Sequence, residues 1–259
     1  VVVDLSQIEL RMNAWLAGET WVLDLLREGQ CVYRKMAGVV YNREDWWNFA
    51  KDCLERFVGK VCELGLGYQM SGGKLNDTLA LGALGGPPVI LSQAQTNDIV
   101  YNKYRPTHPN IVNNWDVIGQ FLAMMMNTTL NHEWKVLNFR HNHIVLPNGM
   151  YLLYDGLRFE DERSMVYWAD GYWHKIYGGL GVENIVQALA AIVMGDAMLE
   201  IDRDIPIVMH THDELVGLVP EAEADAAFDY MVKVMTTPPS WCSDIPLAAE
   251  GGHDYCYSK

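Results

Sequence analysis

Several features common in other protein classes are scarce in this sequence of 259 residues. It has five cysteines and no Cys-x-x-Cys pair, so we expect reduced thiols and a cytoplasmic location rather than a disulfide framework. No run of about 18 uninterrupted apolar residues is present, and we therefore expect neither a membrane span nor a signal peptide. Internal repeats and low-complexity tracts are also lacking.

Positive charge is scarce as well, since 19 Lys and Arg stand against 33 Asp and Glu, a formal net charge of −14. This balance argues against a general nucleic-acid binder, because phosphate contacts normally come from a basic surface. Much of the acid lies in residues 221–259, where the only basic residues are Lys233 and Lys259. The excess of acidic over basic residues is therefore concentrated in part in residues 221–259.

The chain has no initiator Met and opens on Val1-Val2-Val3, which reads as the middle of a buried strand. We therefore expect the sequence to be a fragment of a longer protein. Half of its residues are hydrophobic, so it can bury a substantial core.

Apolar periodicity predicts an α+β fold with a small antiparallel sheet and many helices. The strands are expected at 1–5, in a hairpin at 143–159 around Asn148-Gly149, in a second hairpin at 205–219, and at 245–249. Helices are expected at 6–19, 30–70 with a break near Asn42, 92–131 with a break at 106–109, 183–201 and 221–236. Ser6 and Glu9 have the spacing of a capping box at the start of the first helix.

Three groups of residues carry candidate chemistry. In the first, Asp4 follows a hydrophobic strand within the segment DLSQIELR, where a rigid backbone would fix the direction of its carboxylate. Taken alone, Asp4 and Ser6 are better explained as capping residues of the following helix.

The second group lies on a helix predicted over about residues 52–68, in which Arg56, Lys60, Leu64 and Tyr68 recur every four residues. At about 100° per residue they form one slowly winding stripe. Two cations followed by an apolar and an aromatic residue suit a nucleotide with its phosphates at one end and its base at the other. The alternative is that these residues form a solvated basic surface of the helix that continues into the core. Gly65 and Gly67 argue against this alternative, because glycines near a helix end allow a ligand to approach closely.

The third group is His212-Asp213-Glu214, at the tip of the 205–219 hairpin. Apolar strand-forming residues on both sides would place this turn on a rigid sheet. Together with Asp4, Asp213 could hold two Mg²⁺ ions roughly 3.5 to 4 Å apart.

These segments resemble the three motifs of the family A DNA polymerases of bacteriophages: DLSQIELR resembles motif A, RFVGKVCELGLGY motif B and HDE motif C, in the family's order. The resemblance also covers YGGLGVENIVQALA and TTPPSWCSDIPLAAEG. It implies a right-hand polymerase palm at 1–29 and 173–259, with mostly helical fingers at 30–172. It also implies template-directed DNA synthesis on a primer-template from dNTPs, with two Mg²⁺ ions for which Mn²⁺ can substitute, in the host cytoplasm and without a membrane. The thumb and any 3′–5′ exonuclease domain would lie outside this sequence.

The resemblance also implies roles for individual residues. Asp4 and Asp213 would bind the metals and, with Lys60, form the catalytic set. The nucleotide would be bound by Gln7, Glu9, Arg56, Lys60, Leu64 and Tyr68, with Glu9 beneath the sugar as a gate against ribonucleotides. The DNA would be contacted by Gln187, His212 and Glu214.

The sequence departs from the family pattern at several places. Leu5 and Leu64 stand where aromatic residues are common, and Gln69 stands where Gly usually follows the motif B Tyr. Tyr33 falls near a phosphate-contacting His of bacterial relatives, and we assign it no role on this basis.

Two other functions remain open on the residues alone. His210, His212 and Asp213 have metal-ligand types at close spacing, as in a metal-dependent hydrolase. A non-catalytic DNA-binding remnant is the other alternative. Tightly held zinc would favour the hydrolase, and primer extension by the full-length parent would separate polymerase from remnant.

Overall fold

The computed structural model describes residues 1–162 and 164–257, except for the side chain of Leu84. The last two residues of the predicted segment 173–259 therefore lie outside the described residues. The chain divides into two compact units, of which the first comprises Val1–Met12 and Val186–Lys259 and the second Asn13–Ile185. The division into palm and fingers after residues 29 and 172 is a functional assignment and stays a prediction.

The first unit contains a four-stranded antiparallel sheet. Its strands are β1 (Val2–Leu5), β9 (Ile207–Thr211), β10 (Glu214–Gly217) and β11 (Ala249–Gly252), in the order β11-β1-β10-β9. The predicted strand at 1–5 is thus an inner strand, and its residues Val3 and Leu5 are buried at 0% and 1% exposure. Because successive side chains of a strand point to opposite faces, Val3 and Leu5 face the core and Asp4 points to the other face.

The last strand of this sheet differs from the prediction. We expected it at 245–249, but β11 begins at Ala249 and continues through Gly252. Its backbone pairs with β1, with Asp4 opposite Glu250. The segment Glu-Gly-Gly has low intrinsic strand preference, so the pairing with β1 and not local propensity places this strand. The helix α10 (Ala224–Met235) packs against both strands.

The second unit is mostly helical in its first 110 residues. Its helices are the end of α1 (Ile8–Ala17), α2 (Thr20–Arg27), α3 (Val32–Tyr41), α4 (Leu54–Leu66), α5 (Gly72–Ala80), α6 (Gln93–Asp98), the π-helix Ile99–Tyr104, α7 (Arg105–Thr107) and α8 (Pro109–Met124). The predicted breaks are found: Asn42 caps α3 in a left-handed conformation, and His108 separates α7 from α8.

Two further antiparallel sheets follow in the second unit. The strands β2 (Asn131–Trp134), β3 (Leu137–Arg140), β4 (His143–Val145) and β5 (Tyr151–Leu153) form one sheet, and β6 (Asp155–Phe159), β7 (Met165–Ala169) and β8 (Tyr172–Ile176) form the other. The predicted hairpin is therefore confirmed only for β4 and β5, since 155–159 belongs to the next sheet. Its loop is longer than a two-residue Asn-Gly turn, because Leu146 and Met150 close it and only Gly149 has a positive φ.

The start of α1 also differs from the prediction. Gln7 has φ 58°, which is outside the right-handed helical region, and its carbonyl accepts the first helical bond from the Arg11 amide. The helix therefore begins after Gln7, and the capping box predicted from Ser6 and Glu9 does not form, since that motif requires a helical residue 7.

The helix α9 (Gly178–Ile201) is longer than the predicted 183–201 and strongly apolar. By length and composition alone it could cross a membrane, with a mean hydropathy of 1.5 over an 18-residue window. Half of that window is buried inside the protein, as it would be in the core helix of a globular fold. This property alone is weak evidence for a membrane span.

Candidate active site

Asp4 lies in a row of three carboxylates on one face of the four-stranded sheet. It is directly opposite Glu214 of β10 on one side and Glu250 of β11 on the other. Residues directly opposite in antiparallel strands point to the same face, with Cβ atoms about 4.5 to 5.5 Å apart. Asp4 is partly exposed, whereas Glu214 is 2% exposed. Such a concentration of negative charge suits a cation-binding surface.

The turn between β9 and β10 presents Asp213 beside this row. The hairpin is found where the sequence predicted it, but Thr211 and Glu214 are paired within the strands, so the turn consists of His212 and Asp213 alone. His212 adopts φ 57°, a left-handed conformation that few residues other than glycine take up. The backbone carbonyl of Asp213 accepts a hydrogen bond of 2.8 Å from the Leu5 amide. The segments resembling motifs A and C are therefore joined directly by their backbones.

Arg11 fixes the turn that follows Asp4. Its guanidinium, 6% exposed, donates to the carbonyl of Ser6 at 2.7 Å and to that of Pro246 at 2.5 Å. The arginine thus ties the start of α1 to the segment that leads into β11. In the same turn, the side-chain oxygen of Gln7 is buried.

Two cavities lie next to these residues within the first unit. One, of about 330 Å³, is lined by four of the predicted site residues, Glu9, Gln187, His212 and Asp213, together with small and apolar residues of α1 and α9. The other, of about 640 Å³, is lined by Asp4 and Glu214 together with residues of β1, β11 and the chain after β11. The structure therefore distributes the predicted palm residues over two cavities.

The carboxylates fit magnesium by their chemistry. Mg²⁺ prefers oxygen ligands and is commonly held by one or two carboxylates, with waters and substrate phosphates completing its shell. Asp4, on β1, and Asp213, in the turn before β10, are two such carboxylates. Among residues 1–162 and 164–257, no three His, Cys, Asp or Glu side chains are grouped as a self-sufficient metal site. A magnesium site that is completed by substrate phosphates and water needs only the two carboxylates, so it is consistent with the lack of a three-ligand group among the described residues.

The predicted nucleotide-binding stripe lies on the partly exposed face of α4 in the second unit. Arg56, Lys60 and Leu64 are half-buried, whereas the other face of the helix, including Val58 and Cys62, is buried. The helix begins at Leu54 and ends at Leu66, so Tyr68 follows it and lies in the adjoining turn. Arg56, Lys60 and Leu64 therefore share a partly exposed face of a helix that is shorter at both ends than predicted, and nucleotide binding by this face stays a prediction.

Arg56 is positioned at the first turn of α4 by two contacts. Its Nη1 donates to the carbonyl of Lys51 at 2.9 Å, and its guanidinium carbon lies 5.5 Å from the centre of the Tyr33 ring, a cation–π geometry. Tyr33 is 5% exposed. The structure therefore places Tyr33 beside Arg56, an association that was not predicted from the sequence.

The turn after α4 is fixed by contacts within the second unit. The carbonyl of Gly67 accepts from the Trp115 indole at 2.8 Å and from the Asn13 amide at 3.3 Å. A Cβ on Gly67 would lie 2.8 Å from that Asn13 nitrogen, and one on Gly65 would lie 2.6 Å from the methyl carbon of Met70. The close approaches at these two glycines are therefore to other parts of the chain.

A buried polar cluster lies behind α4, and sequence reasoning did not find it. Glu63 and His108 are almost fully buried, with Glu63 Oε1 3.2 Å from His108 Nε2. The His108 ring stacks on Tyr104 at 4.0 Å between centroids. Burial is the largest single effect and acts to lower the pKa of His108, but the charge and hydrogen bond of Glu63, together with the Tyr104 carbonyl and the charge of Glu19, raise the pKa overall. A lone histidine carries no local signal, so only the fold reveals this pair.

Comparison with known proteins identifies a relative that matches the whole chain. The DNA polymerase of Bacillus phage SP02 is 32% identical over 274 aligned residues, which cover all of this chain and 41% of that protein. The chain thus spans about two fifths of the length of this relative. No protein-family model matches.

A solved structure shows the same fold. The POL domain of Pol1 from M. smegmatis, determined in complex with DNA primer-template and dNTP, superposes with a TM-score of 0.68 at 16% identity, over 96% of this chain and 38% of that one. This likeness confirms the predicted α+β architecture of a polymerase domain. The chain is thus similar over its whole length to a phage DNA polymerase and shares the fold of a polymerase domain, in agreement with the resemblance of its three motifs to those of phage-type family A DNA polymerases.

Proposed function

We propose that the full-length protein is a DNA-directed DNA polymerase that extends a primer on a DNA template, using dNTPs, in phage DNA replication in the host cytoplasm. The observation that carries the proposal is the hydrogen bond between Leu5 and Asp213, which joins the segments resembling motifs A and C. In this chain, all of which aligns with a phage DNA polymerase, the strand that carries Asp4 and the turn that carries Asp213 are thereby held next to each other.

In this proposal the first unit holds the metal ions and the primer terminus. Asp4 and Asp213 supply carboxylate oxygens to two Mg²⁺ ions, with Mn²⁺ as a substitute. The bound ions would supply charge neutralisation when the primer 3′-hydroxyl attacks the α-phosphate and pyrophosphate leaves. Glu9 lies beneath the sugar and disfavours a 2′-hydroxyl. Gln187 contacts the DNA minor groove, and the primer side is supported by His212 and Glu214.

The second unit binds the nucleotide in this proposal. Arg56 and Lys60 hold the triphosphate, and Lys60 belongs to the catalytic set because it neutralises charge on the leaving group. Leu64 lies beside the sugar, where an aliphatic side chain has no hydroxyl to offer. Tyr68 stacks near the templating base, and Gln7 contributes to nucleotide binding from the motif A turn. The partly exposed face of α4 supports this arrangement.

The hydrolase alternative receives less support. His210 lines a separate cavity with Met198 and Asp202, whereas His212 and Asp213 line the cavity that contains Glu9. The ring of His210 contacts the backbone oxygen of His212 and not its imidazole. A catalytic zinc ion needs about three protein ligands, and within residues 1–162 and 164–257 no three His, Cys, Asp or Glu side chains are grouped to hold one.

The test is primer extension by the full-length parent of this chain. With a primer-template, all four dNTPs and Mg²⁺, we expect template-dependent extension that stops on chelation and resumes when Mg²⁺ is restored. Binding of the duplex without extension would identify a non-catalytic DNA-binding protein. Stoichiometric zinc that survives dialysis, with phosphodiester hydrolysis and no synthesis, would identify the hydrolase.

A further inference from the structure

The chain after β11 is held to the first unit by three alternate side chains. His253 contacts Asp225, with Nε2 and Oδ1 2.8 Å apart, the hydroxyl of Tyr255 donates to Glu221, and that of Tyr257 donates to Glu214 at 2.8 Å. Residues 253–257 follow the end of β11 and bend at Tyr255 and Cys256. All three of these side chains nevertheless contact carboxylates of the first unit.

The last of these contacts reaches the carboxylate row of the candidate active site. Tyr257 and the preceding residues of this segment line the cavity of about 640 Å³ that also contains Asp4 and Glu214. Glu214 is directly opposite Asp4 on the sheet. Tyr257 thus acts on the immediate neighbour of a predicted metal ligand.

The chemistry of the Tyr257 contact suits a cation site. Glu214 is 2% exposed, and a buried carboxylate requires hydrogen-bond donors to offset its loss of hydration. A phenol donates one hydrogen bond and brings no positive charge. It therefore fixes the direction of the Glu214 carboxylate while the phenol itself leaves the negative charge of the row unchanged. Donors that orient carboxylates around a metal typically change metal affinity 10- to 100-fold when removed.

We propose that Tyr257 is a positioning residue of the polymerase site: by holding Glu214 beside Asp4 it raises the affinity of this carboxylate face for the divalent cation. The inference rests on the proposed polymerase function, to which it adds a residue outside the three motifs. Residues 253–257 would thereby form one wall of the proposed polymerase site.

The test compares Tyr257→Phe with Tyr230→Phe in the full-length protein. Tyr230 is a matched control, because its hydroxyl donates to Asp204 at 3.2 Å on an exposed part of the same unit. Each variant loses one phenol–carboxylate bond. Mn²⁺ binding is measured by electron paramagnetic resonance with a dideoxy-terminated primer-template and the matching dNTP. The Mg²⁺ concentration for half-maximal incorporation is measured separately, and urea denaturation records stability.

We expect Tyr257→Phe to weaken Mn²⁺ binding about tenfold and to raise the half-maximal Mg²⁺ concentration in parallel, whereas Tyr230→Phe stays within about twofold of the parent. Equal Mn²⁺ affinity in parent and Tyr257→Phe overturns the proposal, and so does a loss of stability without a change in metal affinity, which identifies a structural tether. If the parent does not extend primers, the proposed function fails, while the Mn²⁺ comparison still decides whether Tyr257 orders a cation site.

Discussion

The side-chain oxygen of Gln69 accepts a hydrogen bond of 3.0 Å from the backbone amide of Gly179. Gln69 has φ 67°, so a side chain occupies a left-handed position at which the family usually has glycine. Gly179 in turn has no room for a Cβ, which would lie 2.5 Å from the carbonyl of Tyr68. The two residues together fix the turn that carries Tyr68.

This relationship predicts an order of stability among variants at position 69. Gln69→Ala keeps the strain of the left-handed backbone and loses the bond to Gly179, so its free energy of unfolding should fall by ~1 to 2 kcal/mol. Gln69→Gly loses the same bond but relieves the backbone strain, so its free energy of unfolding should fall less than that of Gln69→Ala. Urea denaturation checks the order, with Gln30→Ala at an exposed position as control. A glycine variant less stable than the alanine variant would contradict this account.

Asp213→Asn tests the proposed metal ligand. Replacing the carboxylate by an amide removes negative charge while keeping the shape, so nucleotide incorporation by the full-length protein should fall ~10³-fold or more. The dissociation constant for primer-template should change little. Single-turnover incorporation and DNA binding are the measurements, and Asp229→Asn, an exposed change of the same charge on α10, is the control. Near-normal turnover in Asp213→Asn would remove this residue from the metal site.

Glu9 is expected to select deoxyribonucleotides, because it lines the same cavity as Asp213. In Glu9→Ala the ratio of ribonucleotide to deoxyribonucleotide incorporation should rise about tenfold or more, as a contact that rejects the 2′-hydroxyl is lost. Competition between the two nucleotides at one template position measures this ratio. Glu200→Ala, an exposed change on α9, should leave it unchanged. An unaltered ratio in Glu9→Ala would show that Glu9 does not face the sugar.

The pair of Glu63 and His108 predicts a pH-dependent contribution to stability. Since the folded state raises the pKa of His108, protonation of this residue contributes stability that is present below its ordinary pKa of about 6.5 and is lost as pH rises through the folded value. The loss of unfolding free energy on His108→Gln should therefore be larger at pH 6 than at pH 9. The same comparison made in a Glu63→Gln background should show a smaller difference. A constant loss across this range in the parent background would contradict the charged pair.

The elements that the sequence predicted best are those with a strong local pattern. The strand of Val3 and Leu5, the turn at His212 and the long helix α9 all appear. The hairpin of β7 and β8 was missed although its signal is local: Asp170 and Gly171 both have positive φ, as a two-residue turn of this type requires. The strand β11 had no such signal, because its pairing with β1 depends on distant residues.

Much of the candidate site was also visible in the sequence, because its motifs combine residue type with spacing. Asp4, Asp213 and the stripe of α4 were proposed in this way, and their roles stay predictions. The contacts of Tyr257 with Glu214 and of His108 with Glu63 were not, since each joins residues more than 40 positions apart in the chain. Contacts between residues so far apart in the sequence produce no periodic pattern. A single aromatic residue or histidine therefore does not predict which residue it will contact.

The inner position of β1 has a consequence for synthesis on the ribosome. Its partners β10 and β11 lie about 200 residues further along the chain. At translation rates of about 5 to 20 residues per second, this hydrophobic strand leaves the ribosome roughly 10 to 40 s before either partner exists. During that interval both of its edges can pair with other chains. The carboxylate row can therefore form only after β11 has been synthesised, and until then β1 is an unpaired hydrophobic strand that is exposed to aggregation.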